Sequence, residues 1–156
     1  MRLLIVSVGT KLPAWVSDAF DEYAKRMPRE TRIELVEIKP ASRTEGKPVE
    51  AVMEIEAERI SAALPQGCEV VALDERGKNP STVELTELLK GWLGGGRDVA
   101  FVIGGADGLH PRIKNKADRR LSLSRMTLPH GLARVLLAEQ LYRALSLLKG
   151  HPYHRA

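Results

Sequence analysis

The stretch FVIGGADGL, residues 101–109, decides how the chain is read. Phe101, Val102 and Ile103 run without alternation into Gly104 and Gly105. A short unbroken apolar run fits a strand covered on both faces, as in a parallel sheet. The two glycines carry no Cβ, so a ligand or another backbone can come close. Ligands in open α/β sheets bind beyond the carboxyl ends of the strands, which makes this turn a candidate site. A plain turn leading into a helix at Pro111 accounts for the same residues equally well.

Outward from that stretch the pattern repeats. Residues 3–8, LLIVSV, form a second buried-strand run, closed by Gly9-Thr10. Residues 13–27 place Trp15, Val16, Ala19, Phe20, Tyr23 and Met27 at three- and four-residue spacing, an amphipathic helix entered at Pro13 and stopped by Pro28. Residues 32–38 have the β-branched content of a strand. A Glu-rich helix over 49–64 ends at Pro65, a third strand covers 69–73, and DERGKNPS at 74–81 is a polar turn. Ser81 and Glu84 have the spacing of a capping box, and the helix they open runs to Leu93 before the glycines 94–96. Residues 98–103 complete a β-α-β-α-β-α-β order. The prediction is an α/β fold with a mainly parallel sheet flanked by helices, in a single domain over 1–156. Downstream, LSLSRMTLPH at 121–130 alternates apolar and hydroxyl residues, a short fifth strand over 121–128 that gives way to a loop at Pro129-His130-Gly131. The helix over 132–148 is apolar around most of its circumference, interrupted by Arg134, Glu139, Gln140, Arg143 and Ser146, and is either central in the core or shared between subunits.

The 156 residues are 44% hydrophobic and 28% charged, in the range of a globular domain. No apolar run approaches the length of a membrane span, and the six-residue run near the N-terminus reads as a strand rather than a signal sequence. A cytoplasmic location is expected. Cys68 is the single cysteine, which excludes an internal disulfide and a thiolate-rich metal site; it is expected to be a buried, inert thiol. Charge is segregated. Residues 109–156 hold ten Lys and Arg against two acids, whereas the first 108 hold fourteen against eighteen. That asymmetry suggests a surface that faces a polyanion. Arg112, Lys114, Lys116, Arg119 and Arg120 form its densest cluster, which a solvated face explains nearly as well, and the loop 39–48, KPASRTEGKP, reads as solvated rather than as a second RNA contact. Neither G-x-G-x-x-G after the first strand nor G-x-x-x-x-G-K-[ST] occurs, which counts against dinucleotide binding and P-loop phosphoryl transfer. The tail HPYHR, residues 151–155, lacks the carboxylate or Cys to complete a metal site, but suits RNA, since Tyr can stack on a base and Arg can pair with phosphate.

The segments VSVGTKLPAWV (6–16), LDERGK (73–78), GRDVAFVIGGADGL (96–109), LSLSRMTLPH (121–130), RVLLAEQLYRA (134–144) and HPYHR (151–155) together carry a resemblance over the full length. The chain resembles the RlmH (YbeA) family of SPOUT-class ribosomal RNA methyltransferases. The resemblance implies methyl transfer from S-adenosylmethionine, without a metal, to N3 of a pseudouridine in helix 69 of 23S rRNA in the assembled ribosome. It implies a homodimer with no membrane or DNA partner, and a C-terminal trefoil knot, which topological rules alone would argue against. Carried over residue by residue, Leu73, Gly104 and the loop of Leu123, Ser124, Arg125, Met126, Thr127 and Leu128 would hold the cofactor, largely through backbone groups, with His130 near the pocket. Tyr153, His154 and Arg155 would approach the target base from the subunit opposite the bound cofactor. Residue type and tail position, rather than the resemblance, make His154 the candidate proton acceptor and Arg155 the candidate for stabilising the developing anion. Family members often carry Pro and Glu where this chain has Ala106 and Asp107; Asp107 keeps the charge on a shorter arm. Two other classes compete: a non-catalytic ribosome- or RNA-binding module, and a small-molecule enzyme on a doubly wound sheet.

Overall fold

The computed structural model describes residues 1–44 and 46–153. Five strands lie parallel in one sheet: β1 (Arg2–Val8), β2 (Arg32–Ile38), β3 (Glu69–Lys78), β4 (Val99–Ile103) and β5 (Arg119–Leu121), in the order β2-β1-β4-β3-β5. The central pair shows why the apolar runs are unbroken. Leu3 and Ile5 of β1, with Val99, Phe101 and Ile103 of β4, face one side; Leu4, Val6 and Val8, with Ala100 and Val102, face the other. Both sides are covered, so the two-residue period of a strand produces no polar face.

The first side packs against α1 (Ala14–Ala24), α3 (Thr82–Gly95) and α5 (His130–Lys149) through Phe20, Leu85, Leu89, Trp92, Leu137 and Leu141. The second side packs against α2 (Val49–Ala63) and α4 (Pro111–Lys116) through Ala57, Ile60 and Ile113. Each fully buried large aliphatic or aromatic side chain contributes about 1.5–3 kcal/mol by leaving water. The Trp92 indole N–H donates to the Glu69 carboxylate, and its ring meets Phe101 edge-on with centroids 5.5 Å apart. The capping box is formed: Ser81 Oγ accepts from the Glu84 amide at 3.1 Å and the Glu84 carboxylate accepts from the Ser81 amide at 2.9 Å. Gly96, at φ 72°, closes the same helix in the left-handed conformation.

Three elements differ from expectation. The polar segment 74–78 is not a turn but continues β3 to Lys78, across an irregularity between Leu73 and Lys78, because Lys78 pairs with Leu121 and its carbonyl accepts from the Ser122 amide at 2.7 Å. The fifth strand lies earlier and is shorter than 121–128. It stops at Leu121 because the serines that follow bond the chain into a loop: Ser122 Oγ donates to the Ser124 carbonyl at 2.7 Å, and the Met126 amide donates to Ser124 Oγ at 2.9 Å. The first helix ends at Ala24, short of Met27, whose amide makes a turn bond to the Ala24 carbonyl. Among the described residues no helix is long and apolar enough to cross a membrane.

Candidate active site

β3 and β4 are neighbours, so the chain leaving them forms one rim at the carboxyl edge of the sheet. A cleft of about 490 Å³ opens there between three segments: 73–76 from β3, 103–109 after β4, and much of 122–130, the loop between β5 and α5. The glycine turn is tight by necessity. A Cβ on Gly104 would sit 2.5 Å from the Gly108 carbonyl carbon, and the Gly108 amide donates to the Gly105 carbonyl at 3.0 Å. Gly108 holds φ at 81°, where L side chains are strained. In the third segment the polar side chains are spent on the protein itself. Asn79 donates to the Ser122 carbonyl at 3.0 Å and Thr127 Oγ1 donates to Glu75 at 3.0 Å, alongside the two serine bonds already described. The serine and threonine hydroxyls of that segment are thus engaged within the protein, while charged and apolar side chains share the wall with the glycine turn.

Leu73, Gly104, Leu123, Ser124, Met126, Thr127 and Leu128 all line this cleft, as does His130; Arg125 is not among its lining residues. Met126 stands 77% exposed. Asp74, Glu75 and Asp107 bring carboxylates to the wall, against Arg76 and Lys114. Lys114 lies 3.9 Å from Asp74, and Asp107 pairs at 2.5 Å with Arg43 from the loop between β2 and α2. Burial, with the Arg134 guanidinium adding to it, holds the His130 imidazole below its usual range and so favours the neutral ring.

The tail is built differently. His151 donates its amide to the Ser146 carbonyl at 2.9 Å after the left-handed Gly150, and Tyr153 turns back onto α5, where its hydroxyl donates to Glu139 at 2.7 Å. Its ring lies 4.7 Å from that of Tyr142 and 4.9 Å beneath the Arg143 guanidinium. Burial and the bond to Glu139 push the Tyr153 phenol up to about 12, so it remains a neutral donor. Burial alone would raise the Glu139 carboxyl, but bonds from Arg143 and Tyr153 outweigh it and hold the group below its usual range. Tyr153 does not line the cleft of its own protomer. His154 and Arg155 lie outside the described residues.

With this geometry in hand, the family model described as "Predicted SPOUT methyltransferase" matches residues 1–154. The chain belongs to the SPOUT methyltransferase family. It is 60% identical over 156 residues to "Ribosomal RNA large subunit methyltransferase H" of Burkholderia multivorans, covering 100% of both chains. It is 61% identical over 155 residues to the protein of the same name from Ralstonia pickettii, covering 99% of both. Among solved structures it resembles a probable methyltransferase from Bordetella pertussis, with a TM-score of 0.59 and 21% identity over 92% of this chain and 96% of that one, a likeness of fold.

The cofactor of this SPOUT methyltransferase is S-adenosylmethionine. The cleft suits it: the volume of about 490 Å³ falls within the roughly 300–1,000 Å³ of small-molecule sites, and the Asp74, Glu75 and Asp107 carboxylates complement a sulfonium cation. Among the described residues no cluster of His, Cys, Asp and Glu has the makings of a metal site. Cys68 is half-buried, its thiol pushed up by burial.

Two residues of this SPOUT chain escaped the sequence reading. Arg134, which looks like a polar interruption in an apolar helix, is only 2% exposed. It donates to Ser7 Oγ at 2.9 Å, to Glu37 at 2.9 Å and to the Gly9 carbonyl at 2.8 Å, pinning the ends of β1 and β2 beside His130. Glu56 of α2, 3% exposed, accepts from the Ala41 amide at 3.1 Å and lies beneath Gly105, whose added Cβ would come within 3.3 Å of it. Their partners are far away in the chain, and periodicity carries no signal for them.

Proposed function

We propose that this SPOUT methyltransferase transfers a methyl group from S-adenosylmethionine to N3 of a pseudouridine in helix 69 of 23S rRNA, acting on the assembled ribosome as a cytoplasmic homodimer. The observation that carries this reading is the convergence of three backbone segments on one cleft at the carboxyl ends of β3 and β4. The name shared by its relatives, a ribosomal RNA large subunit methyltransferase, gives the substrate class.

The cofactor supplies an activated methyl group. Leu73, Gly104 and the loop from Leu123 to Leu128, Arg125 included through its main chain, hold and orient it. An imide N3 is a poor nucleophile until its proton leaves, so alignment and stabilisation of the anion are the terms the protein must supply. His154 accepts the proton and Arg155 stabilises the developing charge, in the tail that Tyr153 begins. Since Tyr153 is docked against α5 and does not line its own protomer's cleft, the tail of one protomer serves the cleft of the other. Support for the dimer comes from a second cavity of about 330 Å³ between α3 and α5, which shares Leu73, Ser122 and Leu123 with the cleft and is bordered by Leu136, 37% exposed, with Val83, 52% exposed, next to its rim residue Thr82. Arg112, Lys116, Arg119 and Arg120 supply cations for the RNA backbone, so binding weakens as salt rises.

The test is incubation with labelled S-adenosylmethionine and either assembled ribosomes or free 23S rRNA from cells lacking the modification. Label on the helix 69 loop of assembled ribosomes is expected. No label on either substrate, with cofactor binding intact, moves the target elsewhere; absence of cofactor binding removes the methyltransferase assignment.

A further inference from the structure

Arg26 touches no part of the cleft, yet three tyrosine rings converge on it. Its guanidinium carbon lies 5.2 Å from the ring centroid of Tyr23, 5.6 Å from that of Tyr142 and 5.6 Å from that of Tyr153. The guanidinium is itself oriented, because Nη2 donates to Glu22 at 2.8 Å. Arg143, a second guanidinium stacked on Tyr153 at 4.9 Å, donates to Glu139 at 2.9 Å, and Glu139 also takes the Tyr153 hydroxyl. Tyr153 is thus held at its ring by two guanidiniums and Tyr142, and at its hydroxyl by a carboxylate. Residues of both α1 and α5 take part.

The last residues of a chain fray unless something ties them down. Cation–π contacts strengthen when they are partly removed from water, and several on one ring fix its plane as well as its position. A tether of this design is more than the packing of α1 on α5 needs, since that contact already has Phe20, Leu137 and Leu141 in the common core. We propose that Arg26 is a positioning residue for methyl transfer: with Arg143 and Glu139 it fixes Tyr153, the residue that precedes His154 and Arg155 in sequence, so that both act on the target base from a defined origin. This rests on the tail's role in the proposed function.

The test compares Arg26→Gln and Arg26→Lys in the full-length protein by three readouts: tryptic release of the tail after Lys149, single-turnover methylation of ribosomes, and calorimetric affinity for S-adenosylmethionine. For Arg26→Gln, tail release rises and single-turnover transfer falls, each by about tenfold, the effect of losing contacts of this class, while cofactor affinity is unchanged. Arg26→Lys, which keeps the cation, recovers part of both. Tyr153→Phe removes the hydroxyl's bonds with Glu139 and Arg143 and leaves α1–α5 packing intact; it raises release by a smaller factor. Unchanged tail release in Arg26→Gln overturns the anchor. A matching loss of cofactor affinity overturns it too, because Arg26 is then a general structural residue. Faster release with an unchanged transfer rate leaves the anchor standing but removes the tail from the chemistry, which is a failure of the proposed function instead.

Discussion

The cleft and the tail solve opposite problems with opposite materials. The cleft must admit a ligand closely, and its shape is set by backbone turns: a glycine turn after β4, the continuation of β3, and a loop whose hydroxyls bond back to the loop and to β3. The tail must be fixed although it lies beyond the last helix, and its Tyr153 is held by side chains: two guanidiniums, one tyrosine ring and a carboxylate. A backbone-built site resists side-chain truncation but is sensitive to any added Cβ. A side-chain-built site has the reverse sensitivities.

The largest expected effect breaks the tail and spares the cleft. His154→Ala lowers single-turnover methyl transfer by about 10²-fold or more, as loss of a general base does, with cofactor affinity measured by calorimetry unchanged. Next comes a buried side chain that ties the ends of β1 and β2 beside His130. Arg134→Ala leaves the Gly9 carbonyl, Ser7 and Glu37 without their partner. It costs about 3 kcal/mol, read as a fall in melting temperature on the order of 10 °C. Gly104→Ala then sharpens the contrast. Because the new methyl would sit 2.5 Å from the Gly108 carbonyl carbon, the turn must open, weakening cofactor binding by roughly 10- to 100-fold, the 1–3 kcal/mol of an overpacked site. Thr127→Ala, by comparison, changes cofactor affinity little.

The smallest effect is a pH dependence of stability. His130 titrates below its ordinary value of 6.5 in the folded protein. The unfolded chain therefore binds the proton first, and the contribution is present above 6.5 and lost as pH falls from there through the folded value. His130→Gln flattens the corresponding segment of a melting-temperature profile between pH 7.5 and 5.5, the window set by that ordinary value.

How far the sequence foretold this depends on the range of the forces involved. β1 and β4 were legible because burial on both faces writes an unbroken apolar run, and α3 because Ser81 and Glu84 bond across three residues. The extension of β3 was not, since Asp74 to Lys78 are polar and their strand geometry follows from pairing with β5, more than forty residues on. Arg134 was illegible for the same reason: its partner Ser7 lies 127 positions away. The cleft residues came from resemblance, because a cleft shaped by turns leaves glycine and small hydroxyl residues as its trace, and many turns share that composition. The cage around Tyr153 left even less, since Tyr23 reads as one of the apolar positions of the first helix and nothing in the spacing marks Arg26.

The central claim is that cleft and tail act together across two protomers. Co-expression of differently tagged Gly104→Ala and His154→Ala chains, with the mixed dimer assayed on ribosomes, tests it most directly. With cofactor held well below saturation, each variant alone transfers at no more than about a tenth of the wild-type rate. Their mixture restores about a quarter of the wild-type rate, because half of the dimers are mixed and each holds one intact pairing of cleft and tail. A mixture as inactive as its components would contradict the account.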